Sequence, residues 1–321
     1  MKTFFFILFL SLIIFCVQKK YKFFGSDYIV LLIEIFLLIF TVNNPDRLTY
    51  ENAYYTGYGP FYEQGFYYIK DILGFFGINN YNFFLFLIAI FIIFVFYKWK
   101  KIIPNIYTVI FLYSLFCMYY DVIQIRYTIA QFLIVLALYF LIQEKKILCL
   151  LICFIAPQFH RMSLLLVLIL LYLLIMPPKK EYSLSYLELL VLSIFGFMSI
   201  FLSKPLINFI SSYIPFLRRI SSYMINYTSF DSLLIWAGYL LLVIIILYYF
   251  AVKKILNIAN KNIILKRQVN TMYRFIFWGI AVMGLLIYMN EFNRAYRTFY
   301  LVAYLLYGKV RNQISKKNRI I

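Results

Sequence analysis

Histidine occurs once in this 321-residue chain, cysteine four times, and aspartate plus glutamate only twelve times. A single imidazole without a dense carboxylate cluster argues against a dedicated metal site, because such sites draw on several histidines, thiolates or carboxylates at once. Asp46 with Glu51 or Glu63 could at most hold a divalent cation loosely through water, so no metal and no cofactor is expected. Cys16, Cys117, Cys149 and Cys153 all lie inside apolar runs, which argues against both a disulfide framework and a zinc site. At helical spacing, Cys149 and Cys153 read as packing. Charge is scarce as well. Only 13% of residues are charged, against 65% hydrophobic and 22% aromatic, a balance that no soluble domain of this length shows.

What is present is a series of apolar runs long enough to cross a hydrocarbon core of about 30 Å. They predict an all-α, polytopic helical membrane protein with eleven spans, near residues 3–18, 25–42, 81–97, 102–119, 127–143, 147–159, 162–176, 184–203, 232–252, 273–290 and 295–308. The whole chain, 1–321, reads as one integral membrane domain with neither an internal repeat nor a soluble domain. The first run, "TFFFILFLSLIIFCV", has the length of a signal-peptide core but no small-residue cleavage site after it, so it is expected to stay as an anchor.

Positive residues near span ends tend to remain cytoplasmic, which makes orientation countable. With the N-terminus outside and the C-terminus inside, 21 of the 31 lysines and arginines fall on the inner side. The net charge of +19 then lies mostly on a cytoplasmic rim facing anionic lipid head groups. Membrane lipids are the partners this implies, and nucleic acid is an unneeded one.

The outer side differs in kind. Seven of its ten cations are arginines, namely Arg47, Arg126, Arg161, Arg218, Arg219, Arg294 and Arg297, whereas only four of the 21 inner ones are. A guanidinium presents a planar fork that binds phosphate oxygens bidentately. Head-group anchoring and ion pairing with Asp46, Glu51, Glu63, Asp71, Asp121, Asp231 or Glu291 is the competing structural role.

Two larger outer loops could carry substrate contacts, residues 43–80 and 204–231. The first is dense in tyrosine and glycine and holds Asp46, Glu51, Glu63 and Asp71. Aromatic faces beside carboxylates suit sugar rings, and an interfacial aromatic belt accounts for some of the same tyrosines. The second, with Pro205 and Pro215 in a mixed pattern, suggests short interfacial helices. At the mouth of the fifth span, "QIRYTIAQFL" sets Arg126 one turn before small Ala130, where it can enter a groove between helices or snorkel to head groups. In "NEFNRAYRTFY", Arg294 and Arg297 share a helical face and would suit a pyrophosphate; pairing of Glu291 with Arg294 is the alternative. The lone His160 stands beside Arg161 in "PQFHRMS", at another span mouth on the same side.

These segments resemble the EpsG-like membrane proteins of bacterial exopolysaccharide and capsule synthesis, functionally grouped with Wzy-type O-antigen polymerases. Asp46 and Tyr50 in "PDRLTY", then Glu63 and Gly65 in "YEQGF", look like the family's D-x-x-x-Y and E-x-G pattern. "QIRYTIA", from Gln124 to Ala130, is similar to its I-R-Q-x-I-A segment with Tyr127 in place of glutamine. "HRMSLL" is similar to its H-x-S segment, with Met162 in the serine's place and Ser163 one residue later.

The resemblance implies a glycosyltransferase, a polysaccharide polymerase at the outer face of the bacterial cytoplasmic membrane. A glycan would leave one polyprenyl-pyrophosphate carrier and join a sugar hydroxyl on another lipid-linked repeat unit. Chain-length regulator and flippase proteins are the protein partners it implies. The chemistry asks for cations around the departing pyrophosphate and a base for the acceptor hydroxyl. His160, Arg126, Arg161, Asp46 and Glu63 are the candidate catalytic residues, with His160 taking or orienting the acceptor proton and Asp46 and Glu63 as rival bases. Arg294, Arg297, Tyr50, Gln124 and Arg47 are the candidate substrate-binding residues. Other classes remain open: an O-antigen ligase, a lipid-linked oligosaccharide flippase, a membrane O-acyltransferase and a non-catalytic assembly protein. Glu34 and Glu188, the main charges inside spans, have the wrong sign for a flippase's pyrophosphate path.

Overall fold

The computed structural model describes residues 31, 35, 45–57, 63–104, 106–176, 209, 263–285 and 293–317. Expected spans 3–18, 184–203 and 232–252 lie outside these residues, as do nearly all of 25–42 and of the 204–231 loop. Among the described residues the fold is all-α, with ten α-helices, one 3-10 turn and no strand. The helices are α1 (Pro45–Thr56), α2 (Gly65–Phe75), α3 (Tyr81–Lys100), α4 (Ile106–Phe116), α5 (Met118–Ile123), α6 (Ile125–Ile142), α7 (Lys146–Ile155), α8 (Ser163–Ile175), α9 (Ile263–Leu285) and α10 (Asn293–Lys317), and the 3-10 turn is Ala156–Gln158. Two compact units result, Met1–Leu164 with Tyr307–Ile321, and Leu165–Leu306.

In the first unit α3 and α6 are long and apolar enough to cross a membrane. All of α6 is buried except Leu133 and Phe140, which makes it the central helix. α3 buries a single stripe, from Tyr81 and Phe84 through Ile88 and Ile92 to Phe96 and Trp99, the three- and four-residue spacing of one helical face. Lipid tails are as apolar as leucine, so close packing rather than exclusion from water must select such a face in a bilayer. Aromatic interlocking supplies it: Phe96, Tyr113 and Phe132 from α3, α4 and α6 meet edge to face, with centroids 5.4 to 5.7 Å apart. The Trp99 indole N–H donates to the Val135 carbonyl at 3.3 Å, so the polar end of this buried ring is satisfied.

α6 turns into α7 through Glu144, whose φ of +62° places a non-glycine residue in the left-handed region. The Lys145 N–H reaches the Phe140 carbonyl at 2.9 Å, closing a Schellman-type end. α7 packs on α6 with Cys149 and Cys153 buried, while Ile147, Leu151 and Phe154 are exposed. At the other end of α10, Gly308 lies so close to Val109 and Ile103 that a Cβ would sit 2.7 Å from the valine methyl. The ammonium of Lys309 donates to the Ile102 carbonyl at 2.8 Å, capping the turn that follows α3.

The structure departs from the sequence pattern in two instructive places. The apolar run 102–119 is divided, α4 ending at Phe116 and α5 beginning at Met118, although the Cys117 N–H still reaches the Tyr113 carbonyl and the Asp121 N–H the Cys117 carbonyl. Residues 43–80, expected as a loop, contain α1 and α2. α2 stops at a Schellman motif in which Gly77, at φ +74°, lets the Ile78 N–H reach the Leu73 carbonyl at 2.9 Å. Asn80 then caps α3, its Oδ1 accepting the Phe83 N–H at 3.1 Å.

The second unit is described by itself. Phe275 of α9 and Phe299 of α10 pack at 5.5 Å between centroids, and Gly279 gives Phe299 its room: a Cβ there would overlap the ring. Tyr172 and Trp278 meet at 4.8 Å in the same unit.

Candidate active site

Three stretches far apart in sequence converge on one carboxylate. Glu63, just before α2, accepts from the Arg126 guanidinium at 2.6 Å through Oε2 and from the Arg161 backbone N–H at 3.1 Å through Oε1. The side chains of Glu63 and Arg126 are only 11% and 10% exposed, so the pair is desolvated and each charge depends on the other. Local sequence explains the demand. Gln124, at φ −101° and ψ 59°, ends α5 and opens α6, which places Arg126 second in the new helix. The positive end of a helix dipole disfavours a cation there, and an anion at the same end removes the conflict.

Gly65 is what allows Glu63 to reach the second partner. A Cβ at this position would stand 2.7 Å from the Gln158 carbonyl oxygen and 2.9 Å from its carbon, so α2 starts in direct contact with the backbone of the 156–161 turn. The E-x-G spacing thus reads as an acceptor followed by a close approach. The Arg126 guanidinium also lies over the Tyr50 ring, 5.6 Å from its centroid. Tyr50 is buried and meets Phe66 at 6.2 Å, the near edge of an aromatic cluster with Tyr54, Tyr81 and Phe84. Burial raises the pKa of the Tyr67 phenol, with the Arg126 charge opposing, so Tyr67 stays a neutral donor at physiological pH.

His160 is 4% exposed and stands edge-on to the Tyr127 ring, with centroids 5.4 Å apart. Its Nδ1 accepts the Met162 N–H at 3.3 Å, which assigns the proton of the neutral ring to Nε2. In the neutral ring Nε2 therefore carries the proton. The turn is closed by Ser163, whose hydroxyl donates to the His160 carbonyl at 2.8 Å. Of the two departures from the resembled motifs, Tyr127 forms the wall behind the imidazole, while at 162 only the backbone N–H, which any residue but proline offers, meets the ring.

The other candidates are distributed. Arg161 has an exposed side chain although its backbone is held by Glu63. Arg47 is half-buried one turn before Tyr50 in α1, and Gln124 is half-buried at the α5–α6 break. Asp46 stands one turn before Tyr50, and its side chain lies outside the described residues. Arg294 and Arg297 belong to the second unit, three residues apart in α10, with Arg297 buried.

Sequence reasoning treated Asp121 only as an ion-pairing option. It is buried, with Oδ2 accepting from the Gln131 amide at 2.9 Å, while its backbone carbonyl accepts from Thr128 Oγ1 at 2.5 Å. A carboxylate inside an apolar run was the available signal, because such a residue persists only with partners. Among the described residues no group of three or more His, Cys, Asp and Glu could hold a metal ion.

A family model described as the EpsG family matches residues 2–321, essentially the whole chain. No curated protein and no solved structure matches it.

Proposed function

The chain belongs to the EpsG family, which places it in polysaccharide biosynthesis at a membrane, and from that premise we propose that it is a polysaccharide polymerase. It transfers a polyprenyl-pyrophosphate-linked glycan to a lipid-linked repeat unit at the outer face of the bacterial cytoplasmic membrane. Eleven spans with the N-terminus out and the C-terminus in put residues 43–80, Arg126 and His160 on that face. The observation that supports this reading best is the convergence of Glu63, Arg126 and the Arg161 backbone, which brings the α6 arginine and the His160–Arg161 turn to one carboxylate.

In the reaction, the acceptor hydroxyl loses its proton to a base and its oxygen attacks the anomeric carbon of the donor glycan. The bond from that carbon to the pyrophosphate oxygen breaks, and the electron pair leaves with the lipid pyrophosphate. Arg126, desolvated beside Glu63, and the exposed Arg161 stabilise the charge that develops on the leaving group. His160 orients the acceptor through its Nε2 donor, since its Nδ1 is committed to Met162. Glu63 acts as anchor, with both oxygens engaged, and the proton goes to Asp46, the other candidate carboxylate of the resembled D-x-x-x-Y and E-x-G pattern.

The test is conversion of one lipid-linked repeat unit into a ladder of longer glycans by the purified protein in liposomes. A ladder made by the protein alone supports polymerisation and excludes a non-catalytic assembly role. A single transfer to a different acceptor would reveal a ligase, and movement of the unit across the bilayer without transfer would reveal a flippase.

A further inference from the structure

At the head of α3, separate from the Glu63 anchor, lies a cavity of about 540 Å³ bordered by Gly77, Asn79, Asn80, Asn82, Phe83 and Phe86. We propose that it is a saccharide subsite, which holds sugar rings of the glycan while chemistry takes place elsewhere. The ligand class rests on the polymerase reading; the location rests on the cavity's own chemistry. It is a shallow depression, broadly open to its surroundings, with the volume of a small-molecule site.

Three side-chain carboxamides and two phenyl rings border the space, and no charged side chain does so among the described residues. A carboxamide both donates and accepts, which matches the paired donor and acceptor character of sugar hydroxyls. The rings of Phe83 and Phe86, 6.3 Å apart, add apolar walls suited to the C–H face of a pyranose. A phosphate or carboxylate ligand would call for cations, and a lipid tail would have no use for amides.

Asn82 supplies a second, independent observation. Its Oδ1 is buried with no hydrogen-bond partner. A leucine of similar shape would avoid that desolvation penalty, so packing does not explain the residue. Asn80 commits its Oδ1 to the α3 cap and keeps its NH2 group for another acceptor.

The cavity is held rigid from behind. The Tyr54 hydroxyl donates to the Ile78 carbonyl at 3.3 Å, and the Tyr81 N–H donates to the Tyr55 hydroxyl at 3.3 Å. Tyr54 also packs on Phe66, which packs on Tyr50 beneath the Arg126 guanidinium. One aromatic cluster therefore supports both this cavity and the candidate active site, fixing the distance between sugar binding and transfer.

The experiment is saturation-transfer NMR on the protein in lipid nanodiscs, with a probe of the repeat-unit oligosaccharide released by mild acid from the host's own polymer. Wild type should bind it, and Asn82→Leu should weaken binding about three- to tenfold, the effect of one lost neutral hydrogen bond. Phe83→Leu, at an exposed position that should not disturb folding, should also weaken it. Absence of binding by wild type, or equal binding by both variants, overturns the subsite. So does an Asn82-dependent signal from dihexanoyl-phosphatidylglycerol in place of the oligosaccharide. The ladder assay is scored separately: binding without a ladder sinks the polymerase reading alone, and a ladder without Asn82-dependent binding sinks the subsite alone.

Discussion

Replacing Glu63 by glutamine tests the centre of the candidate site most directly. The pair it forms with Arg126 is 2.6 Å long and about nine-tenths buried on both sides, so the variant leaves a guanidinium desolvated at the positive end of α6. Breaking a buried pair by removing one partner costs about 3–5 kcal/mol. At about 2–4 °C per kcal/mol for a domain of this size, the apparent Tm of purified protein in detergent should fall by about 6–20 °C. Arg126→Gln should fall less, because the remaining Glu63 still accepts the Arg161 N–H and suits a helix N-terminus. The double variant, Glu63→Gln with Arg126→Gln, should regain at least half of the loss, since no unpaired charge is left. It should nevertheless make no glycan ladder, because the stabilising cation is gone. A Glu63→Gln protein within about 2 °C of wild type, or a double variant as damaged as the two single changes added together, would refute the coupling.

Gly65→Ala should lower stability by about 1–3 kcal/mol, as overpacking against rigid backbone does, and should lower transfer with it. The comparison is apparent Tm and ladder yield beside Gly74→Ala, where the added Cβ meets only the end of the Asn79 side chain, 3.3 Å away. At position 160, glutamine can restore a donor near Nε2 but cannot act as a base. His160→Ala should lose about 10²- to 10³-fold in turnover and His160→Gln should recover part of it; a glutamine variant as inactive as alanine would return the base to His160. Transfer by the purified protein should be insensitive to chelator, and loss with selective restoration by one divalent ion would overturn the metal-free reading.

Much was legible in the sequence because a bilayer leaves the chain few options. With 65% apolar residues and 13% charged ones the chain suits lipid, where backbone groups must be satisfied within helices or a closed barrel, and continuous apolar runs in place of alternation select helices. The segments carrying Glu63, Arg126 and His160 could also be picked out, since ionisable residues stand out against such a background. Their partners could not. Nothing local says that the partners of Glu63 lie 63 and 98 positions away. Nor does residue type carry a tautomer, so the contact of the Met162 N–H with Nδ1 of His160 is visible only in the folded chain. The helices within 43–80 were hidden for a related reason: α1 has little apolar periodicity of its own and is held by aromatic contacts with α2 and α3. Composition and hydropathy, which act residue by residue through transfer to lipid, determined the class and the chain's candidate chemistry. Tertiary structure decided which charges neutralise one another and which atoms are committed, because those depend on ångström-scale contacts between segments that the sequence keeps apart.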